Sequence, residues 1–113
     1  MADWRARYEP TVSVSHHGWQ VHKCGAWSQG PVLLQCLKML EHDALSEMDP
    51  LGPDFVHLTT EALKRAFADR ETYYGDPAHA DIPMDTLLSA AHAAARRADI
   101  SDAATTDDRP GHI

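Results

Sequence analysis

The first candidates for chemistry are histidines and cysteines, because His16, His17, His22 and Cys24 crowd one short stretch. On a strand His22 and Cys24 would share a face, and a histidine at the preceding turn could approach them. Tight zinc sites show a closely spaced ligand pair repeated further along the chain, as in Cys-x-x-Cys followed by His-x(3–5)-His. No second pair follows here, so these side chains read as turn and surface residues, and no metal or other cofactor is assigned. Cys24 and Cys36 are the only cysteines, too few for a disulfide scaffold, and each reads as a free thiol. Nucleophilic catalysis has no visible agent: there is no Gly-x-Ser-x-Gly elbow, and neither cysteine has a Cys/His setting.

Two positions invite a binding reading. Gln29-Gly30-Pro31 opens a predicted helix, where free N–H groups and the dipole could hold an anion. The alternative is close helix packing permitted by the missing side chain of Gly30, and the absence of a glycine run favours it. Arg70 is the sharper case. At 100° per residue Phe55, Val56, Leu63, Ala66, Phe67, Tyr73 and Tyr74 fall on one helical arc, with Thr59 and Arg70 near its middle. His57, Glu61, Lys64, Ala68, Glu71 and Thr72 lie largely opposite. A guanidinium buried in that arc would cost several kcal/mol without partners. Asp76, Asp69 and loop carbonyls near Gly75 are the acceptors in reach. Arg70 could bind a substrate carboxylate or pin the helix end to the next loop, and the second use is the commoner one for planar arginine pairs. Arg70, Gly75, Asp76 and Gly30 are therefore assigned structural roles, with no catalytic or substrate-binding residue named.

The elements that must position these residues follow from periodicity. Alternation over Thr11–Ser15 and Trp19–His22, with a turn at His17-Gly18, predicts a β-hairpin over 11–23. Helices are predicted over about 31–41, 53–74 and 84–98, the first so apolar around its circumference that it must be buried on more than one side. Gly75-Asp76-Pro77 supplies the usual stop after the second helix. Residues 99–113 are acidic, weakly hydrophobic and expected to be extended or mobile. The fold class is α+β, one β-hairpin followed by three helices, with 1–98 as the structured region and 99–113 as its tail.

Composition narrows the function classes. Asp plus Glu outnumber Lys plus Arg by 17 to 10, a formal net charge of −7, so no surface exists to displace the counterions of a nucleic acid. The apolar window from Pro31 to Leu40 is too short to span a bilayer, and the start Met1-Ala2-Asp3-Trp4-Arg5 has no apolar signal core. As given, the chain reads as cytoplasmic, although export of a longer relative would not show here.

The run Ala68-Asp69-Arg70-Glu71-Thr72-Tyr73-Tyr74-Gly75-Asp76-Pro77 resembles the segment that closes a long helix in the large subunit of γ-glutamyltransferases. Gly18-Trp19 to Cys24, Gln29-Gly30-Pro31, Glu61-Ala62-Leu63-Lys64, Ile82-Pro83 and Arg109-Pro110-Gly111 occur in that family's order and at about its spacings. The resemblance covers nearly the whole chain but only the late part of the large subunit. It implies a fragment of an N-terminal-nucleophile αββα sandwich, whose precursor cleaves itself to expose a threonine that attacks γ-glutamyl amides such as glutathione. That threonine opens a Thr-Thr-His type motif after the Arg-Pro-Gly, whereas Thr105-Thr106 precede it and are followed by Asp107. Thr105, Thr106 and the helical Thr59-Thr60 are thus not the nucleophile, and the chain alone is expected to be inactive. The implied partner is the remainder of the enzyme, including its small subunit, or a second copy through self-association. Related acylases and amidohydrolases would share the scaffold with another amide substrate. A non-catalytic helical interaction module or decayed gene product is the alternative from a different class.

Overall fold

The computed structural model describes residues 2–107 and 109–113. Met1 and Asp108, which belong to the start and the acidic tail read above, lie outside the described residues.

Strands β1 (Val12–His16) and β2 (Trp19–Lys23) pair antiparallel, with Val14 opposite Val21 and His16 opposite Trp19. The two-residue turn has positive φ at both His17 (48°) and Gly18 (82°), the backbone twist that matches a tight hairpin. One face is polar and laced across the strands: Gln20 accepts from Ser15 Oγ at 2.8 Å and donates to Ser13 Oγ at 2.9 Å. The other face buries Val14 against helix α1 (Gly30–Met39).

Pro31 stands at the start of α1, where its missing N–H costs nothing. Gly30 is required there by space: a Cβ would lie 2.9 Å from the Lys23 Cβ and 3.1 Å from the Cys24 nitrogen. Only a residue without a side chain lets the helix lean on the end of β2 this closely. Helix α1 is buried on several sides, as its composition requires, against the hairpin, α2 (Pro53–Tyr73) and α4 (Ala90–Ala98). The core joins Val32, Cys36, Met39 and Leu40 of α1 to Leu58, Ala62 and Ala66 of α2 and Ala93 of α4. Burial pushes the Cys36 thiol up to about 12, so it sits there as an inert small hydrophobe. Ala62 and Ala66 have no exposed surface, which lets the two helix backbones come close. A single 3-10 turn, Leu45–Glu47, links α1 toward α2. No helix of the described residues is long and apolar enough to cross a membrane.

Two expectations are corrected. The third helix is two: a short α3 (Met84–Leu87) ends at Leu88, and Ser89 turns extended to accept the His92 N–H with its hydroxyl at 3.1 Å. A serine that caps the second piece outweighs the continuous helical periodicity. The buried face of α2 is also rotated from the apolar arc. Leu58, Glu61, Ala62, Arg65, Ala66, Ala68 and Asp69 point inward, while Val56, Leu63 and Phe67 are exposed. The described part of the tail has no helix or strand, as expected for an extended segment, and buried carboxylates on α2 bind its backbone at Thr105 and Gly111.

Candidate functional site

The same rotation of α2 that exposes Leu63 and Phe67 brings Glu61, Arg65 and Asp69, spaced four residues apart on one face, into the interior. On α4, His92 and Arg96 repeat that spacing and face them, buried as well. Ionised groups taken out of water are stable only when their hydrogen-bonding capacity is met inside. Here it is met by side chains of the helices together with backbone groups of the tail.

Asp69 is fully buried. Its Oδ2 accepts from Gln35 Nε2 at 2.8 Å and from His92 Nε2 at 2.7 Å. A carboxylate only accepts, so His92 carries its proton on Nε2. Oδ1 accepts the backbone N–H of Gly111 at 2.5 Å, with Arg96 Nε 3.5 Å away as an ionic neighbour. The Gln35 amide is oriented from both ends, since its Oε1 accepts from the Tyr74 hydroxyl while its nitrogen donates to Asp69. Burial, with the nearby Asp69 charge, pushes the Tyr74 phenol well above its ordinary value, so it stays a donor. Arg96 donates to the Arg65 and Arg109 carbonyls, each at 3.0 Å, and to Asp99. Tyr73 donates its hydroxyl to the Gly111 carbonyl at 2.7 Å, so Gly111 is gripped at both its N–H and its C=O.

A second grip lies further up α2. Glu61 accepts from Arg65 at 2.6 Å, from Lys64 at 3.1 Å and from the Thr105 N–H at 3.0 Å, while Lys64 also donates to the Thr105 carbonyl at 2.8 Å. Burial alone would raise the Glu61 pKa, but the Thr105 N–H and the Lys64 and Arg65 charges outweigh it and hold the carboxyl below its ordinary value. Both carboxylates are occupied by donors and neither faces a hydroxyl or thiol that it could deprotonate. Among the described residues the cluster holds backbone, at Thr105 and at Gly111.

The gamma-glutamyltranspeptidase family profile matches residues 1–112. The chain belongs to the gamma-glutamyltranspeptidase family. It is 34% identical over 89 residues to the glutathione hydrolase-like YwrD proenzyme of Bacillus subtilis, a match that covers 79% of this chain and 17% of that protein. It is 33% identical over 99 residues to the acylase ACY 1 proenzyme of a Pseudomonas strain, covering 87% of this chain and 18% of that one. Among solved structures, LmbA2991HD superposes over 97% of this chain and 18% of its own with a TM-score of 0.88 and 45% identity. The gamma-glutamyltranspeptidase of Helicobacter pylori does so over 93% of this chain and 31% of its own, with a TM-score of 0.87 and 28% identity. The chain therefore spans less than a fifth of the length of the two curated relatives, and its α+β architecture is that of a gamma-glutamyltranspeptidase fragment.

Within this family fold the residues singled out from sequence lie apart from the cluster. Arg70 is not buried in an apolar arc: it sits half-exposed, donating to neighbouring Glu71. It lines an open groove of about 440 Å³ with Trp27, Gln29 and Tyr74. The buried residue of the pair is its neighbour Asp69, because the helix presents the adjacent face. Asp76 makes no pair with Arg70; its carboxylate accepts the Ala78 N–H at 2.9 Å and shapes the turn after α2. Gly75 does not take the left-handed conformation of a helix-ending glycine. Tyr74 ends α2 instead, turning extended as its hydroxyl reaches Gln35. The N–H of Gly30 is already bonded to Ser28 Oγ at 3.0 Å. His22 bonds Thr11 at 2.8 Å, and the His16 and His17 rings meet edge to face at 4.3 Å. Cys24 is exposed and Cys36 buried, and both thiols are free.

Sequence reasoning gave no site role to Gln35, Glu61, His92 or Arg96 and took Asp69 only as an acceptor for Arg70. The available signal was the i, i+4, i+8 ladder of Glu61, Arg65 and Asp69 beside the i, i+4 pair of His92 and Arg96. A ladder of charges on one helix face usually means solvent.

Proposed function

We propose that this chain forms the structural portion of a γ-glutamyltransferase-like enzyme that transfers or hydrolyses γ-glutamyl amides of the glutathione type. The nucleophile in this reading is a threonine that follows Arg109-Pro110-Gly111 in the complete enzyme and becomes N-terminal when a precursor cleaves itself. A free α-amine beside the threonine hydroxyl can serve as its base, so the large-subunit scaffold has no need to supply one. The observation that carries the proposal is the family match along residues 1–112. The saturated Asp69 and Glu61 carboxylates agree with it, since they belong to a scaffold with nothing left to react. The partner is the threonine-bearing remainder of the enzyme, in keeping with relatives that are named proenzymes.

A second substrate class has its own support. The acylase relative is as similar as the glutathione hydrolase-like one, at 33% against 34% identity. An enzyme built on this scaffold could equally cleave another amide.

The test is to sequence the gene beyond Ile113 and assay γ-glutamyl-anilide hydrolysis by this chain alone and by the complete product. A downstream Thr-Thr-His segment, with turnover only by the complete product, is the expected result. Turnover by the isolated chain would overturn the assignment of a scaffold role. Cleavage of an acyl side-chain amide but not the γ-glutamyl anilide would move the enzyme to the acylase class.

A further inference from the structure

Among the described residues the hairpin is a sheet of two strands, so each strand has one side without a neighbour. The tight turn at His17-Gly18 makes His16–Trp19, Val14–Val21 and Val12–Lys23 the hydrogen-bonded pairs of the ladder. The N–H and C=O groups of Gln20 and His22 therefore point outward from β2, a strand exposed along nearly its whole length. Natural sheets guard such an edge with proline, a bulge or an inward charge. None of these interrupts β2, and its one charge, Lys23, stands at its end. Trp19 is 76% exposed on the same face as Val21 and Lys23, and the proposed scaffold role makes no use of it.

We infer that β2 is a self-pairing edge, by which two copies of this chain join β2 to β2, antiparallel about Val21, into one continuous sheet. In that register the strand is complementary to itself. Gln20 of each copy meets His22 of the other, each pair exchanging both its N–H···O=C bonds. Val21 meets Val21, and Trp19 of each copy lies opposite Lys23 of the other, at positions where side chains approach most closely. An ammonium over an indole face is a favourable pair, and the symmetry repeats it. No carboxylate lies on β2 to oppose it. The outer polar face is already satisfied, since Gln20 bonds Ser13 and Ser15 and His22 bonds Thr11. β1 offers the same backbone groups at Ser13 and Ser15 but not the room. Helix α1 packs mainly against β1, and joining β1 to β1 would bring those strands to about 5 Å. Helices need about 8–10 Å between their axes. Joining through β2 leaves the two β1 strands about 14 Å apart, with space for both helices.

The experiment uses the 113-residue chain as wild type, as Trp19→Lys and as Trp19→Lys combined with Lys23→Glu. Sedimentation equilibrium over a range of concentrations reads the mass, and amide hydrogen exchange followed by NMR reports which edge is covered. Wild type is expected to approach twice its monomer mass of 12.5 kDa as concentration rises. The Gln20 and His22 amides should slow in step with it, while those of Ser13 and Ser15 stay fast. Trp19→Lys sets lysine against lysine across the dyad and is expected to raise the dimer Kd at least about tenfold. Adding Lys23→Glu restores opposite charges and should recover most of the affinity. A wild-type chain that stays monomeric at every concentration would overturn the inference. So would a dimer that protects Ser13 and Ser15 instead, or one whose Kd Trp19→Lys leaves unchanged. If Trp19→Lys does not fold, the wild-type exchange pattern decides alone. None of these outcomes bears on the anilide assay, so the proposed function stands or falls separately.

Discussion

On one side of α2, Leu58, Ala62 and Ala66 meet α1 in an apolar core; on the adjoining side Glu61, Arg65 and Asp69 meet α4 and the tail in a polar one. The two interiors share a helix and obey different rules. Apolar burial is non-directional, so Leu40 or Met39 could be replaced by similar shapes with modest repacking. The polar interior is directional: each acceptor on Asp69 meets a donor from a different part of the chain, and losing one partner strands the others. The apolar half makes the segment collapse, and the polar half decides where residues 99–113 run.

The contrast can be broken most strongly at Asp69. Asp69→Ala removes the buried acceptor of the Gln35, His92 and Gly111 donors and one of the two carboxylates beside Arg96, which keeps Asp99, and is expected to cost about 3–5 kcal/mol, read as a lower midpoint in urea unfolding. A loss under about 1 kcal/mol would mean that water replaces the carboxylate and that the cluster is not a true interior. Leu34, fully buried, comes next. Leu34→Ala is expected to cost about 3 kcal/mol from lost transfer energy and the cavity left behind.

Glu61 separates the two interiors by pH. Its folded pKa is depressed, so its stabilising contribution is present above the unfolded value of about 4.3 and is lost as pH falls through the lower folded value. Melting temperature is expected to fall over that acid window in wild type and to fall less steeply in Glu61→Gln. Parallel profiles would assign the acid sensitivity elsewhere. The smallest effect is expected at Leu63, whose side chain is 43% exposed. Leu63→Ser should change the stability of the isolated chain by no more than about 0.5 kcal/mol. A clearly larger loss in the complete enzyme would mark this face as one that the remainder covers.

Much of the architecture was legible in the amino-acid order. The hairpin, the burial of α1 on more than one side and the extent of α2 follow from alternation, proline placement and apolar density. The arc of α2 was misread because periodicity finds apolar residues, whereas this helix buries Glu61, Arg65 and Asp69 and leaves Val56, Leu63 and Phe67 outside. In α4 the alanines carried almost no directional information; Ala91, Ala94 and Ala95 are exposed while His92 and Arg96 go inward. The contacts of the extended tail were hidden for a related reason. Its low hydrophobicity denies it an apolar core, but its own N–H and C=O groups are what the buried charges needed. Arg70 drew attention as the charge nearest an apolar arc, one position away from the carboxylate that is buried.

The bare α-carbon of Gly111 against the His92 ring gives the tail an alignment pin. A shift by one residue in either direction would bring Pro110, which has no N–H for Asp69, or His112, whose side chain has no room, to the same spot. The segment thus has a single admissible setting, and an insertion or deletion of one residue between Thr105 and Gly111 should be felt as a misregistered chain even though Thr106, Asp107, Arg109 and Pro110 are exposed.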